Sequence, residues 1–275
     1  MRTIAPYIKN KLVDPAVLSV DEGGNFVIPL LSGHIGGANG FAKALAKVIK
    51  ATPVVTTATD VNKLFAVDEW AARNNMIINS MKAAKDFAAA LVDGQEVGLF
   101  TDYPIISALP RQIVLKDKGV TGLAITKNRN VKPFDLTVQL WPRNIYLGIG
   151  CRRGTTLESI ETLVLPKLKE LGIDLRTIVG VASVDLKKDE AGLLNFAAKY
   201  NWEISFFTAE ELQNAAGEFS SSDFVKSVVG VSNVCERSAV LAANNGSIIS
   251  SKCSLNGVTL AVAEADIVLD FEKLS

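Results

Sequence analysis

The chain has 275 residues, 48 per cent of them hydrophobic, and its 29 Lys and Arg are balanced by 29 Asp and Glu. That length suits two or three domains with cores of their own, and the balanced charge removes any whole-chain argument for nucleic acid or an anionic membrane. No apolar run approaches the roughly 20 residues that a membrane helix needs, and nothing after Met1 reads as a signal peptide. Cys151, Cys235 and Cys253 are odd in number and far apart, which argues against a disulfide framework or structural zinc and fits a cytoplasmic protein.

Residues 1–15 are mixed sequence punctuated by Pro6 and Pro15. Two strands are predicted over 16–31, joined by the turn Asp21-Glu22-Gly23-Gly24-Asn25. The second strand runs into Ser32-Gly33-His34-Ile35-Gly36-Gly37-Ala38-Asn39, a glycine-rich turn that precedes a helix over 40–50. Asn39 is the expected N-cap, and Phe41, Leu45, Val48 and Ile49 are spaced as the buried face. Amides in such a turn approach a ligand closely, and the helix N-terminus favours an anion.

His34, the single histidine, has two readings. It is a packed or surface imidazole without chemistry, or a neutral imidazole acting as a general base. Three glycines and the absence of an apolar face around it favour the second reading.

After Pro53 a short strand is expected at 54–55, then Thr56-Thr57-Ala58-Thr59-Asp60. Clustered hydroxyls with a carboxylate cap the next segment or contact a ligand, and one turn can do both. Val61, Leu64, Phe65 and Asp68 have helical spacing, with Glu69 placed to pair with Arg73. A smaller unit follows, with a helix over 81–92 and strands at 97–100, 113–115, 123–126 and 136–141; nothing in it suggests catalysis.

Residues 141–144 read as the linker to a strand at 145–150. Cys151-Arg152-Arg153-Gly154-Thr155 follows, with Thr155 and Glu158 as a capping box and Leu157, Ile160, Leu163, Val164, Leu168 and Leu171 as a buried stripe. Pro166 is expected to kink that helix and Gly172 to end it. Further strands are predicted at 177–183, 204–207, 247–249 and 258–263, with a turn at 250–252. Capping boxes at Thr208/Glu211 and Asn233/Glu236 open two more helices. Strand and helix alternate throughout, so the expected fold is α/β: two α/β sheet domains, 1–79 and 143–275, joined through a smaller central α/β segment, 80–142.

Gly148-x-Gly150-x-x-x-Gly154 is one residue too long for a dinucleotide fingerprint, and no acidic residue ends a second strand at the expected distance. What survives is a helix start with two guanidinium groups beside it, suited to carboxylate or phosphate. Arg152 and Arg153 are otherwise solvated charges. Cys151 has no second histidine to activate it and reads as a small filler. Lys187-Lys188-Asp189-Glu190 reads as an exposed helix start, Glu236 as a cap, and Lys252 as a turn residue.

Ile-Ala-Pro at 4–6, Asp14-Pro15-Ala16-Val17, the stretch from Leu30 to Asn39 and Thr56-Thr57-Ala58-Thr59-Asp60 closely resemble the amino-terminal part of the CbiG family, the cobalt-precorrin 5A hydrolases of anaerobic cobalamin biosynthesis. The stretch from Gly148 to Thr155, residues 181–190, Val229 to Glu236, and Lys252 resemble its carboxy-terminal domain. The resemblance spans nearly the whole chain. Family members carry a strand-helix-strand portion before the Ile-Ala-Pro segment that this chain lacks, so an incomplete amino-terminal sheet is expected.

The resemblance implies hydrolysis of the ring A δ-lactone of a cobalt corrinoid with release of acetaldehyde. It implies His34 as the catalytic base, with Asp60 as the alternative. It also implies Ser32, Gly36, Gly37, Asn39, Thr57, Gly150, Arg152, Arg153, Glu190, Glu236 and Lys252 as substrate-binding residues. No cofactor or protein-bound metal is expected, since cobalt arrives inside the substrate. The expected partners are that corrinoid and neighbouring pathway enzymes, with no nucleic acid and no membrane. A non-catalytic corrinoid carrier using the same turns is the second reading, and a nucleotide-dependent enzyme the third.

Overall fold

Contacts group the chain into two units, one of Met1–Trp141 together with Leu269–Ser275 and the other of Pro142–Val268. The computed structural model describes residues 2–9, 13–33, 36–56, 64–217, 219 and 233–272. His34, Thr57 and Asp60, three of the expected site residues, lie outside the described residues.

The first unit opens with a three-stranded sheet. Strands β1 (Val17–Val20) and β2 (Phe26–Leu31) are antiparallel across the expected turn. Asp21 closes that turn by accepting from the Phe26 amide at 2.6 Å and from Asn25 at 3.2 Å. Helix α1 (Ala38–Ile49) crosses back over β2 to β3 (Thr52–Pro53), which is parallel to β2 and lies two residues before the expected strand.

The buried stripe of α1 differs from the expected one. Ala38, Asn39, Ala42 and Ala46 face inward, Ala42 and Ala46 against Val27, while Phe41, Val48 and Ile49 are exposed. Alanines at four-residue spacing let the helix backbone lie close to the strand, which the bulkier stripe would prevent.

The unit continues with α2 (Val67–Arg73), where the Glu69–Arg73 pair forms, β4 (Met76–Ile78) and α3 (Met81–Val92), capped by Ser80. Strands β5 (Val97–Thr101), β6 (Ile113–Leu115), β7 (Gly119–Ile125) and β8 (Phe134–Pro142) complete a sheet of order β4-β8-β7-β5-β6. The end of the chain returns to this unit. Leu269 pairs with Ile105, Trp70 Nε1 donates to the Asp270 carbonyl at 3.0 Å, and the Trp70 and Phe271 rings stack at 4.7 Å.

The second unit is built on β9 (Ile145–Cys151), the middle strand of a sheet. Helix α4 (Leu157–Glu170) leads to β10 (Ile178–Val184), and α5 (Ala191–Lys199) leads to β11 (Glu203–Phe207). Strands β9, β10 and β11 are parallel. After α6 (Ala209–Gln213) and α7 (Val234–Ala242) come β12 (Ser247–Leu255) and β13 (Val258–Glu264), giving the order β11-β10-β9-β13-β12 with β13 antiparallel to β9. No turn breaks the chain at 250–252; register shifts there bend a continuous strand. The hairpin instead closes at Asn256 and Gly257, both at positive φ (50° and 83°), as a two-residue turn requires.

Strand β9 is covered on both faces, hence its nearly unbroken apolar run. Ile145, Leu147 and Ile149 pack with Ile160, Leu163, Val164 and Leu168 of α4 and with Leu193 and Phe196 of α5. On the other face α7 lies directly on the strand. A Cβ at Gly148 would overlap the carbonyl oxygen of Cys235 and lie 2.8 Å from the amide nitrogen of Ala239. Both neighbours are backbone and cannot step aside.

Gly148→Ala is therefore expected to lower stability by about 3 kcal/mol, the upper range for overpacking. Urea unfolding of the two proteins measures it; an unchanged midpoint would mean that α7 has room to move.

Candidate functional site

The glycine-rich turn of the first unit is held by its own backbone. Ser32, at φ 55°, donates its hydroxyl to the Asp14 carbonyl at 2.7 Å. The Ser32 carbonyl accepts from the Ala38 amide at 3.0 Å, and the Gly33 carbonyl from the Asn39 amide at 2.9 Å. The first two amides of α1 are thus occupied from within the turn, and the anion site expected at this helix start does not include them. Gly36 packs so closely on Ser32 that a Cβ there would overlap the Ser32 side chain.

Gly37, at φ 77°, and not Asn39, is the N-cap. The capping role passes to the Ser32 and Gly33 carbonyls, so Asn39 falls inside the first turn, 1% exposed, with its carboxamide against Gly33. Of the residues expected here, the structure brings Ser32, Gly36, Gly37 and Asn39 into one turn, of which only Gly37 is exposed.

In the second unit the expected residues gather at the carboxyl end of β9, where α/β sheets place ligands. Alternation along the strand sends them to two faces. Cys151 points to the α4 and α5 side and packs against that core. Burial raises its thiol pKa, more than nearby Lys187 lowers it. Gly150 points to the α7 side, where Thr259 of β13 donates to its carbonyl at 3.3 Å.

The loop after Cys151 carries the two arginines, and they differ. Arg153 bonds Asp189 at 2.6 Å and the Leu186 carbonyl at 2.9 Å. Its pKa is raised by that bond, and the Asp189 carboxyl is lowered by the same contact. Arg152 has its stem over Gly257 of the β12–β13 hairpin, where a Cβ would lie 2.8 Å from its Cδ. Among the described residues its guanidinium makes no hydrogen bond or ion pair.

Helix α4 is capped by Thr156, which accepts from the Ser159 amide at 3.3 Å; Thr155 instead bonds the Arg152 carbonyl at 2.8 Å. The expected capping box therefore lies one residue too early, because Thr155 closes the arginine loop. Glu190 is 5% exposed, and its Oε1 accepts from the Gly154 amide at 2.8 Å. Its Oε2 lies 3.5 Å from Lys187 Nζ and has no hydrogen-bond partner.

On the α7 side, Asn233 at φ 61° caps the helix by accepting from the Glu236 amide at 3.3 Å. Glu236 does not return the bond as a capping box would. Its Oε1 accepts from the Lys252 amide at 2.7 Å, tying α7 to the irregular part of β12. Cys235 lies beneath, its pKa pushed up to about 11, chiefly by burial.

Gly150 and Arg152 thus lie at the end of β9, Glu236 and Lys252 hold to one another where α7 meets β12, and Arg153 and Glu190 support the loop. Thr259 and Lys187 belong to the same surroundings and were not expected. The alternation of a β-strand is the signal for Thr259, and the place of Lys187 just after a strand end is the signal for the other. Among the described residues no group of three His, Cys, Asp or Glu side chains could hold a metal ion. No helix among them is long and apolar enough to cross a membrane.

Three family profiles match in chain order: Cobalamin synthesis G N-terminal over residues 1–60, Cobalamin biosynthesis central region over 65–142, and Cobalamin synthesis G C-terminus over 145–263. A cobalt-precorrin-5A hydrolase of Salmonella typhimurium is 34% identical, covering 96% of this chain and 79% of its own length. That of Priestia megaterium is 32% identical, covering 96% and 75%. A crystal structure of a cobalamin biosynthesis protein G homolog from Sulfolobus solfataricus is 24% identical, covers 96% of this chain and 78% of its own, and has a TM-score of 0.40.

The Cys235 thiol yields a pH prediction. Its proton is held to about 11 in the fold and to an ordinary value near 9.0 in the unfolded chain. Between those values the folded state binds the extra proton, so stability is intact below the lower one and falls as pH rises towards the upper. Cys235→Ser should flatten that fall in urea midpoints measured across the window. An identical slope in both proteins would assign the effect elsewhere.

Proposed function

The chain belongs to the cobalamin synthesis G family, and from that premise we propose that it is a hydrolase acting on cobalt-precorrin-5A in cobalamin biosynthesis. The reaction is opening of the ring A δ-lactone. Water adds to the acyl carbon and the acyl C–O bond breaks to give a carboxylate and a hydroxyl. The extruded carbon that bears this hydroxyl, with its methyl group, then leaves as acetaldehyde. In that step the hydroxyl loses its proton, its C–O becomes C=O, and the C–C bond to the macrocycle breaks with the electron pair, and a proton, going to the macrocycle. Cobalt is part of the substrate.

The observation that carries this reading is Arg152. A corrinoid of this type bears acetate and propionate arms, and Arg152 is exposed at the carboxyl end of β9 and, among the described residues, unengaged, while its neighbour Arg153 is held by Asp189. A guanidinium pairs with carboxylate through two parallel bonds. Lys252, whose amide is held by Glu236, is a second cation of this unit.

His34 is the proposed general base that activates water, and Asp60 the alternative. Both rest on the turn sequences that carry them. Amides of Gly36 and Gly37 are the proposed donors to the oxyanion.

Incubation with the cobalt corrinoid lactone is expected to release acetaldehyde. Tight binding without acetaldehyde would favour the carrier reading. Arg152→Ala should raise KM with little change in kcat, because a remote carboxylate is bound alike in ground state and transition state. A charge-assisted contact of this kind is worth roughly 1.5–3 kcal/mol, or about ten- to a hundred-fold. Unchanged KM would make Arg152 a surface charge.

His34→Asn should keep binding and lower kcat by ~10²–10⁴. The wild-type rate should fall on acidification as the imidazole takes up a proton, since a base must be unprotonated to act. A variant with near-normal kcat and the same acid limb would pass the role to Asp60.

A further inference from the structure

Three contacts fasten the arginine loop to the start of α5. Glu190 Oε1 accepts from the Gly154 amide at 2.8 Å. Arg153 bonds Asp189 and the Leu186 carbonyl, at 2.6 and 2.9 Å. Gly192, in the first turn of α5, lies so close to the loop that a Cβ there would overlap the Thr155 carbonyl oxygen. The Arg153–Asp189 pair is mostly exposed, 62% and 66%, and contributes little holding force. Glu190 is the enclosed member, 5% exposed, with the 15% exposed Lys187 as its counter-charge.

A carboxylate with almost no surface has little to offer a bulky substrate, and what it grips is the backbone from which Arg152 projects. A backbone amide bonded to a buried carboxylate is a strong, short tether. The other end of the Arg152 stem rests on Gly257. The guanidinium is thus set between a fixed backbone and a fixed turn, an arrangement that lowers the ordering cost of gripping a ligand.

We propose that Glu190 is a positioning residue for Arg152: it does not touch substrate, and it fixes the loop 152–156 so that the Arg152 guanidinium is preorganised for a carboxylate arm of the corrinoid. The proposal rests on the reading of Arg152 given above. It also separates Glu190 from Arg152, Lys252 and Gly150, with which the resemblance grouped it as a binding residue.

The test uses the full chain with Glu190→Ala, Glu190→Gln, Glu190→Asp and Arg152→Ala, and the Glu190→Ala/Arg152→Ala double variant. Two readouts are taken: amide hydrogen exchange across 152–156, and kinetics on cobalt-precorrin-5A. Glu190→Ala should speed exchange in that segment while peptides of β9 and α4 keep their protection. It should raise KM by about tenfold with kcat changed less than about twofold, as loss of uniform binding does. Glu190→Gln, whose amide oxygen still accepts from Gly154, should restore both.

Glu190→Asp draws the carboxylate back by one methylene but keeps its charge, so it should act in the same direction as the alanine variant and serves in its place if that variant does not fold. In the double variant the loss should equal that of Arg152→Ala alone, since residues acting through one another are not additive. Unaltered exchange in 152–156, an unchanged KM in the Ala and Asp variants, or additive losses in the double variant would each overturn the proposal. Should the wild type bind the corrinoid without releasing acetaldehyde, the hydrolase reading fails alone and the same comparisons are made on Kd. A wild type that does not bind the corrinoid at all removes both.

Discussion

Two places where helix backbone touches strand or loop backbone govern the second unit. At Gly148 the first turn of α7 lies on β9, and at Gly192 the first turn of α5 lies on the loop that follows β9. Neither approach leaves room for a single carbon atom. With both helices pressed in, the end of β9 is enclosed from two sides, and the groups around it take their places from backbone positions and not from side-chain packing alone. Interiors at this density transmit small displacements and do not absorb them. The buried carboxylates of Glu190 and Glu236 then act as cross-links, one from α5 to the arginine loop and one from α7 to β12.

Much of the element order of this unit was legible because α4 presents a stripe of branched apolar residues at helical spacing, and β9, β10 and β13 are largely apolar runs. Ile160, Leu163, Val164 and Leu168 are buried as the spacing predicts. The same rule misread α1, where large side chains and small ones trace competing stripes and the alanines face inward. Periodicity identifies a face without saying which side of a helix has less room. The strand partner decides that, and it is remote in sequence.

Capping signals were read with similar mixed success. The Thr208/Glu211 box forms as written, because both partners are local and exposed. At Asn233 and Glu236 the same pattern forms only by half, since the Lys252 amide, sixteen residues on, competes for the carboxylate. At Thr155 the hydroxyl is taken by the Arg152 carbonyl and the cap moves on by one residue. In the candidate site, the two arginines and the glycines after β9 were visible in the sequence. The division of labour between Arg152 and Arg153 was not, because it depends on Asp189 and Leu186 more than thirty residues downstream.

The return of the chain end to the first unit has a consequence for synthesis. Leu269, Asp270 and Phe271 close on Ile105, Trp70 and Ser107, so the second unit is an insertion within the first, leaving at Trp141 and coming back at Leu269. On a ribosome the amino-terminal sheets emerge first, yet the stacked partner of Trp70 follows only after the whole of the inserted unit. The first unit must therefore wait, with that indole unstacked, until the whole insertion has been made. The unit that starts to emerge first is the one whose closing contacts form only after the other has been made.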